Sequence, residues 1–386
     1  MKHSINQLLS YSIILNCLIL CSCITEYVAK NIDEVADVLV VEGIITDDES
    51  VITLSKSVSI TGGGFYDFPI SIANANVYVE CDDGTKTESG FYEPPDTLTG
   101  QHAYRVGRYT IKTGLLNLER KYRLKIEFDN HEYVSDFSYP IKTPEIDSVF
   151  WMKKGLGQPV DILVATHSPI YEVLYYRWFF KEEWETHSVY KVTRCPVCEK
   201  HVLIYYDRHF CPRCGAEMEP YPYYCWNLRR VISFASSDRT VFGRVTDIIT
   251  KIDPTDRRLS VLYRVVVNQN AISKRAHDYY VNIRKNSENI GSIFAPTPSE
   301  LRGNMVCTTD PRRPVIGYIE VSHTTQKTLY ISESDGVYED IPRTCFSVNI
   351  DEVSYRFVDG IGWIYLFCID CALHNFNLSQ KPDDWP

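Results

Sequence analysis

The sequence predicts a mainly β fold, arranged as two β-sandwich-like domains in tandem, the second with one helix and a small four-cysteine insert. Three observations support this prediction. Aromatic residues are frequent, with 27 Tyr, 16 Phe and 6 Trp in 386 residues, and such side chains pack well on pleated sheets. Short apolar or alternating runs recur between glycine- and proline-rich turns. A single segment has helical spacing instead.

The N-terminal segment predicts export. The apolar run within residues 1–22 is shorter than the ~20 residues needed to cross a bilayer, which is typical of a cleaved signal peptide. Leu20 and Ser22 supply the aliphatic and the small residue that a lipobox requires before Cys23. An ordinary secretory signal or a short buried helix is the alternative. We therefore expect a lipoprotein whose Cys23 carries palmitate-type acyl chains, with residues 23–37 as a polar tether.

Residues 38–144 predict an N-terminal β-sandwich of the immunoglobulin or prealbumin kind. The clearest strand is Lys121–Phe128, which alternates apolar and charged residues at every position, with Leu124 and Ile126 on the apolar face. Pro144 marks the end of this domain. The predicted strands are Val38–Ile45, Val51–Val58, Ala75–Glu80, Arg108–Lys112, Lys121–Phe128 and Glu132–Ser135.

Residues 145–386 predict a second, β-rich domain. One segment within it, Ser273–Glu288, has a helix N-cap at Ser273 and apolar residues such as Tyr279 and Ile283 at helical spacing. We expect this helix to pack on or beside a sheet. The predicted strands are Ile146–Trp151, Tyr175–Phe180, Val231–Ala235, Leu259–Asn268, Val315–Val321, Leu329–Ser332 and Trp363–Ile369.

The insert at residues 192–220 carries the most specific chemical motif, two Cys-x-x-Cys pairs formed by Cys195, Cys198, Cys211 and Cys214. Each pair predicts a tight turn whose amides point at the sulfurs, and the residues between the pairs predict a short hairpin. This pattern resembles a zinc ribbon, in which four thiolates surround one ion and leave no open position for catalysis. In an exported protein the same cysteines could instead form two disulfides. We expect a structural zinc ion.

Six further cysteines remain after Cys17 and Cys21 of the signal peptide, the lipid-carrying Cys23 and the insert are set aside. An even number of cysteines in an exported chain favours structural disulfides, although the sequence does not select a pairing. The Cys-x-x-Cys pair near the C-terminus follows a strand rather than opening a helix, which argues against a redox site. The candidate disulfide cysteines are Cys81, Cys225, Cys307, Cys345, Cys368 and Cys371.

Charge and motifs limit the function classes. The formal net charge of −10 leaves no basic surplus to neutralise phosphates, so we expect no nucleic-acid partner. The sequence lacks the serine-hydrolase elbow, the zinc-protease helix motif and the glycine-rich loops that bind nucleotides. The histidines are scattered and share no evident partner. We therefore name no catalytic residue and expect no enzyme.

Several short segments follow one another in the order typical of a known family, although each is weak alone. They are Leu39–Thr46, Ile52–Ser55, Ala73–Val77, Tyr109–Ile111, Ile146–Val149, Tyr279–Tyr280, Asn286–Glu288, Gly291–Pro296, Val315–Ile319, Cys368–Cys371 and Lys381–Trp385. With them the precursor resembles the Bacteroidota outer-membrane lipoproteins grouped as domain-of-unknown-function 4249. Two features depart from the pattern: Leu373–Leu378 replaces a glycine-rich stretch, and the four-cysteine insert is an addition.

The resemblance implies a two-domain β-rich lipoprotein, often encoded near TonB-dependent outer-membrane receptors, with no established activity. We therefore expect a non-enzymatic outer-membrane lipoprotein that supports such a receptor in ligand binding or uptake. Its lipid anchor would hold it at the cell surface or at the periplasmic face. The alternatives are an envelope hydrolase or metalloenzyme with an unrecognised loop site, or a purely structural surface protein.

Overall fold

β-Strands build almost all of the regular structure, as the aromatic and β-branched composition predicts. The computed structural model describes residues 38–57, 70–93, 107–167, 175–199, 201–203, 210–233, 243–288, 303–340, 345–346, 355–359, 361–373 and 381–386. The predicted signal peptide (1–22), Cys23 and the tether (23–37) lie outside these residues, as does the middle of the hairpin predicted within the insert.

The secondary-structure elements follow one another in chain order. The first strands are β1 (Leu39–Ile45), β2 (Asp48–Lys56), β3 (Ile70–Ser71), β4 (Asn76–Cys81), β5 (Lys86–Glu88), β6 (Phe91–Glu93), β7 (Arg108–Gly114), β8 (Tyr122–Phe128) and β9 (His131–Ser135). The next are β10 (Ile146–Lys153), β11 (Val160–His167), β12 (Tyr175–His187), β13 (Val192–Arg194), β14 (His201–Leu203), β15 (Glu219–Pro220), β16 (Tyr224–Ser233), β17 (Arg244–Ile252) and β18 (Leu262–Ile272). The last are helix α1 (Lys274–Glu288) and strands β19 (Met305–Cys307), β20 (Val315–Gly317), β21 (Glu320–Val321), β22 (Thr324–Ser332), β23 (Tyr355–Asp359) and β24 (Gly362–Tyr365).

The first sandwich packs two sheets around one apolar core. One sheet has the order β20-β1-β2-β7-β6, with β21 beside β1 and β3 beside β2; the other has the order β19-β9-β8-β4-β5. Strand β8 has the predicted faces, since Leu124 and Ile126 are fully buried, while Arg123 and Lys125 pair with Glu80 and Glu132 across the neighbouring strands. The mainly β fold class is therefore confirmed.

Strands from late in the chain complete this sandwich. β19 pairs with β9, and β20 and β21 run parallel to β1, so that Met305, Ile319 and Val321 are buried in the same core as the early strands. Gly317 lets β20 lie this close to β1, because a Cβ there would lie 2.6 Å from the carbonyl oxygen of Val41. The first core thus extends beyond residues 38–144, the range that the sequence suggests for this domain.

The second sandwich stacks the sheet β10-β11-β17 on the sheet β16-β12-β18-β22. Its core includes Trp178 and Tyr263, both fully buried. Charged side chains inside it are paired: the Tyr263 hydroxyl donates to the Glu182 carboxylate at 2.7 Å, and Arg264 donates to Glu183 at 2.8 Å. Such pairing is what makes buried charge tolerable.

The C-terminal residues clamp the outside of this second sandwich. The Trp385 indole N–H donates to Glu185 at 3.0 Å, and the Arg264 guanidinium lies 5.1 Å from the Trp385 ring. Arg264 also donates to the Asp384 backbone carbonyl at 2.8 Å. The Lys-Pro-Asp-Asp-Trp ending therefore has a structural role, since it covers the buried pair between Arg264 and Glu183.

Helix α1 begins where the sequence predicts it. The Ser273 side chain accepts a hydrogen bond from the Ala276 N–H at 3.1 Å, which is the geometry of an N-cap. Ala276 and Tyr279 face inward and pack with Tyr318. Within the part of the chain that the structure describes, no helix is both long enough and apolar enough to cross a membrane.

Candidate metal centre

A fifth, small sheet carries the four-cysteine insert. Its order is β15-β13-β14-β23-β24, so strands of the insert pair directly with the C-terminal hairpin β23–β24. The contact is β14 parallel to β23, with His201 opposite Val358. Behind the sheet, Val192, Val358 and Ile364 form a fully buried cluster. The insert is therefore part of the sheet. The sequence alone is also compatible with a separate small unit that projects from a loop.

The two Cys-x-x-Cys turns have the same internal hydrogen bonds, as the spacing predicts. The backbone N–H groups of Val197 and Cys198 point at the Cys195 sulfur, and those of Arg213 and Cys214 point at the Cys211 sulfur. Each turn thus directs two amide dipoles at its first cysteine. Amide donors of this kind stabilise a thiolate, which is the form that binds metal.

The residue after each turn has a left-handed backbone. Gly215 has φ +72° and Glu199 has φ +54°. Glycine adopts this conformation without strain, whereas a long side chain such as that of Glu199 does so at a cost on the order of 1 kcal/mol. The two turns are therefore matched in geometry but differ in the side chain placed at this position.

The four sulfurs fit a tetrahedral metal site. Cys195 Sγ lies 3.4 Å from Cys214 Sγ, Cys198 Sγ lies 3.5 Å from Cys211 Sγ and 4.0 Å from Cys214 Sγ, and all lie within 4.8 Å of one another. Four sulfurs at ~2.3 Å from one ion are about 3.8 Å apart, so the observed spacing brackets the required one. A disulfide needs about 2.05 Å, and none joins these residues. Together they form the cysteine quartet, a cluster that can hold a metal ion.

The pKa values show how the quartet shares its protons. Although burial raises the pKa of Cys195, the N–H bonds from its own turn lower it on balance. At Cys211 the N–H of Arg213 is the main influence, and it lowers the pKa to about 6. The Ala216 N–H also favours a thiolate at Cys214, yet hydrogen bonding with Cys195 and the other sulfurs raises that pKa to about 12. A divalent cation at the centre would replace the protons that the sulfurs share.

Burial in the quartet is uneven. Cys195 and Cys211 are buried, Cys198 is partly buried and Cys214 is exposed. The buried pair packs against Met218, and the Cys211 N–H donates to the Ala216 carbonyl at 2.7 Å. One side of the centre is thus part of a small core and the other faces solvent, which gives an ion a route of entry.

Four of the six remaining cysteines form disulfides. Cys225 pairs with Cys371, and Cys345 pairs with Cys368. The C-terminal Cys-x-x-Cys is therefore not a pair, because each of its cysteines bonds a distant partner. The structure shows no disulfide at Cys81 and Cys307, which are buried in strands β4 and β19. The first bond ties the C-terminal segment to β16, and the second lies in the core beneath the fifth sheet.

The scattered histidines acquire acidic partners that the sequence did not indicate. His167 Nδ1 lies 2.7 Å from Asp147, and His323 Nδ1 contacts Asp47. Asp147 and His167 lie on the paired strands β10 and β11, whereas Asp47 and His323 are far apart in the chain and are brought together by the fold. The contacts of these pairs in the described structure include no serine or cysteine side chain on the imidazole, and we assign them no catalytic role.

Comparison with known proteins places the chain in one family. A family model described as a domain of unknown function (DUF4249) matches residues 24–328. The matched range includes both sandwiches and the cysteine quartet, and it ends within β22. No curated protein matches the chain.

Proposed function

This chain belongs to the DUF4249 family, and from that premise we propose that it is a non-enzymatic, lipid-anchored outer-membrane protein with one structural zinc ion. Its role is accessory: it supports a TonB-dependent receptor in the binding or uptake of a ligand. The observation that carries the proposal is the closed set of four sulfurs in the quartet. A metal with four protein ligands has no position left for a substrate.

Zinc is the metal that suits this donor set. Four thiolates in tetrahedral spacing select Zn²⁺ or an iron–sulfur centre among common metals, and two Cys-x-x-Cys turns are the usual frame of a structural zinc site. Once bound, the ion would cross-link the two turns. The chain's own backbone stabilises the thiolates, because the N–H groups of Cys198 and Cys214 offset the negative charge on the sulfurs.

Lipid anchoring at Cys23 is the second part of the proposal. It is supported by the lipobox residues Leu20 and Ser22 and by the resemblance to Bacteroidota lipoproteins. A single acyl chain binds membranes weakly, but a multiply acylated cysteine anchors a protein stably. The folded part of the chain would then be held beside the outer membrane, where a receptor is within reach.

The test is affinity isolation of a tagged full-length chain from outer membranes in mild detergent. We expect a TonB-dependent receptor to co-purify in stoichiometric amount, without turnover of envelope substrates. The matched control is Cys23→Ala, which should release the protein from the membrane fraction and abolish incorporation of a palmitate analogue. Isolation of a lone chain that hydrolyses a glycan, peptide or ester would overturn the accessory role. Equal labelling and sedimentation of the Cys23 variant would overturn the anchor.

A further inference from the structure

The cysteine quartet lies in a chain that also forms disulfides. Cys345 and Cys368 are bonded to each other in the core beneath the sheet that carries the insert, and Cys225 is bonded to Cys371. The four cysteines of the quartet have no such bond. Because disulfides form in oxidising environments, the quartet holds the thiols of this region that remain available for oxidation.

Sulfurs from the two opposite turns lie close to one another. Cys195 Sγ is 3.4 Å from Cys214 Sγ, whereas Cys198 Sγ is 4.0 Å from Cys214 Sγ. Since a disulfide joins its sulfurs at about 2.05 Å, an approach of roughly 1.4 Å would bond Cys195 to Cys214. The spacing that suits one ion therefore also suits a disulfide between the turns.

The strands beside the two turns hold the turns face to face. Strand β13 leads into the first turn and β15 follows the second, and they pair antiparallel with Arg194 opposite Glu219. The side chains of these two residues form an ion pair at 2.9 Å. The backbone thus keeps Cys195 near Cys214, so that a disulfide between them forms within one molecule at a high effective concentration.

An oxidant in solution meets the quartet first at Cys214. Cys214 is exposed, whereas Cys195 and Cys211 are buried and Cys198 is partly buried. The oxidation of a cysteine depends on its thiolate character and on its exposure. All four cysteines are thiolates when they bind zinc, so exposure decides which of them reacts first.

We propose that the quartet is a redox-modification site, at which a peroxide converts the metal cross-link between the turns into a disulfide. The Cys214 thiolate attacks a peroxide oxygen, the O–O bond breaks and hydroxide leaves, so that Cys214 becomes a sulfenic acid. The Cys195 thiolate then attacks the Cys214 sulfur, an S–S bond forms and a second hydroxide leaves.

The electrons balance in this sequence, because two thiolates supply the two electrons that reduce one peroxide. Cys198 and Cys211 are then the remaining thiolates, and two ligands are too few to retain the ion. The inference rests on the proposed zinc centre, whose regulation it describes.

The test is titration of the zinc-loaded full-length protein with hydrogen peroxide. The protein is purified in mild detergent with a reductant, which is removed before the titration. A chromogenic chelator measures released zinc, and mass spectrometry maps the disulfides after the free thiols are alkylated. We expect loss of about one zinc ion per chain, a first new disulfide between Cys195 and Cys214, and recovery of zinc binding after reduction.

Cys214→His is the matched variant, because histidine supplies a fourth zinc ligand but no sulfur to oxidise. It should bind about one zinc ion and release it at least about tenfold more slowly than the wild type at the same peroxide concentration. Cys81→Ala, which removes a buried cysteine outside the quartet, should release zinc as the wild type does. The first disulfide is mapped in the wild type, so the pairing is decided even if the histidine variant binds no zinc.

Three results would overturn the proposal. They are a zinc-loaded wild type that keeps its ion in excess peroxide, a first disulfide between any other pair of cysteines, and release of zinc from Cys214→His at the wild-type rate. A reduced protein that binds no zinc before peroxide is added would instead overturn the zinc centre itself. The failure of the redox site and the failure of the metal centre are therefore distinguishable.

Discussion

Cys211 offers the sharpest single-residue test of the metal centre, because two backbone N–H groups stabilise its thiolate. Cys211→Ser should reduce bound zinc from about one ion per chain to nearly none. It should also lower the free energy of unfolding by at least about 3 kcal/mol, since the ion cross-links two turns. Elemental analysis measures the bound zinc, and calorimetry measures the change in stability. The control is Cys81→Ala, a buried cysteine outside the quartet, which should keep its zinc; equal zinc in the two variants would rule the centre out.

Glu320 should make stability depend on pH. Burial raises its pKa to about 7, against the opposing effects of the Ser273 hydrogen bonds and of Arg177 and Arg275. The folded chain therefore holds a proton that the unfolded chain releases near pH 4.5, and stability falls as pH rises from about 4.5 to about 7, by up to about 3 kcal/mol.

The variant Glu320→Gln should remove this slope, because glutamine does not titrate. Denaturant unfolding of both proteins at pH 5 and pH 7.5 measures it. The stability difference between variant and wild type should shift in favour of the variant at the higher pH. A difference that is the same at both pH values would mean that Glu320 titrates normally in the folded protein.

At the scale of single residues, the sequence predicts what depends on local spacing. The quartet is visible because each Cys-x-x-Cys turn is formed by four consecutive residues, and the N-cap at Ser273 is local for the same reason. The sequence does not predict the burial of Glu320 or the left-handed backbone of Glu199. Both depend on partners that only the folded chain supplies.

Among the elements, the C-terminal clamp on β12 and β18 gives the clearest prediction. Trp385 is 5% exposed and stacks on Arg264, so Trp385→Ala should lower the free energy of unfolding by about 3 kcal/mol. Thermal and denaturant unfolding measure the change. The matched control is Asp383→Ala, an exposed neighbour that should change stability little. Similar losses for both would show that the segment does not clamp the sheet.

The sequence located strands best where one face is exposed. Strand β8 alternates and matches its prediction closely. The sequence predicts no strand at β11, because Val160–His167 is buried on both faces and shows no alternation. Two predicted strands are shorter than expected. Val315–Val321 divides into β20 and β21, and Trp363–Ile369 ends at Tyr365, after which a 3-10 turn leads Cys368 to its disulfide with Cys345.

For the whole molecule, the shared first core predicts that residues 38–144 do not fold alone. Without β19, β20 and β21 this fragment lacks Met305, Ile319 and Val321 and leaves both sheets with an open edge. Circular dichroism of the isolated fragment should show no cooperative melting, whereas residues 38–386 should melt cooperatively. A cooperative transition in the short fragment would show that the early strands form an independent domain.

The pairing of strands that are far apart in the chain could not be predicted from the sequence. The mainly β class, the helix and the insert follow from local patterns, but the parallel contacts of β1 with β20 and β21 join residues more than half the chain apart. Strands β14 and β23 also pair across a long stretch of chain, since His201 lies opposite Val358. No local pattern encodes a partner at such distance, so the division into tandem domains could not anticipate these crossings.

X-ray absorption at the zinc edge of the native full-length protein tests the central claim most directly, that the quartet holds one structural zinc ion. The account predicts about one zinc per chain, surrounded by four sulfurs at ~2.3 Å and no oxygen or nitrogen ligand. Fewer than four sulfurs would open a coordination position and contradict a purely structural site. A metal-free protein with disulfides inside the quartet would contradict the account altogether.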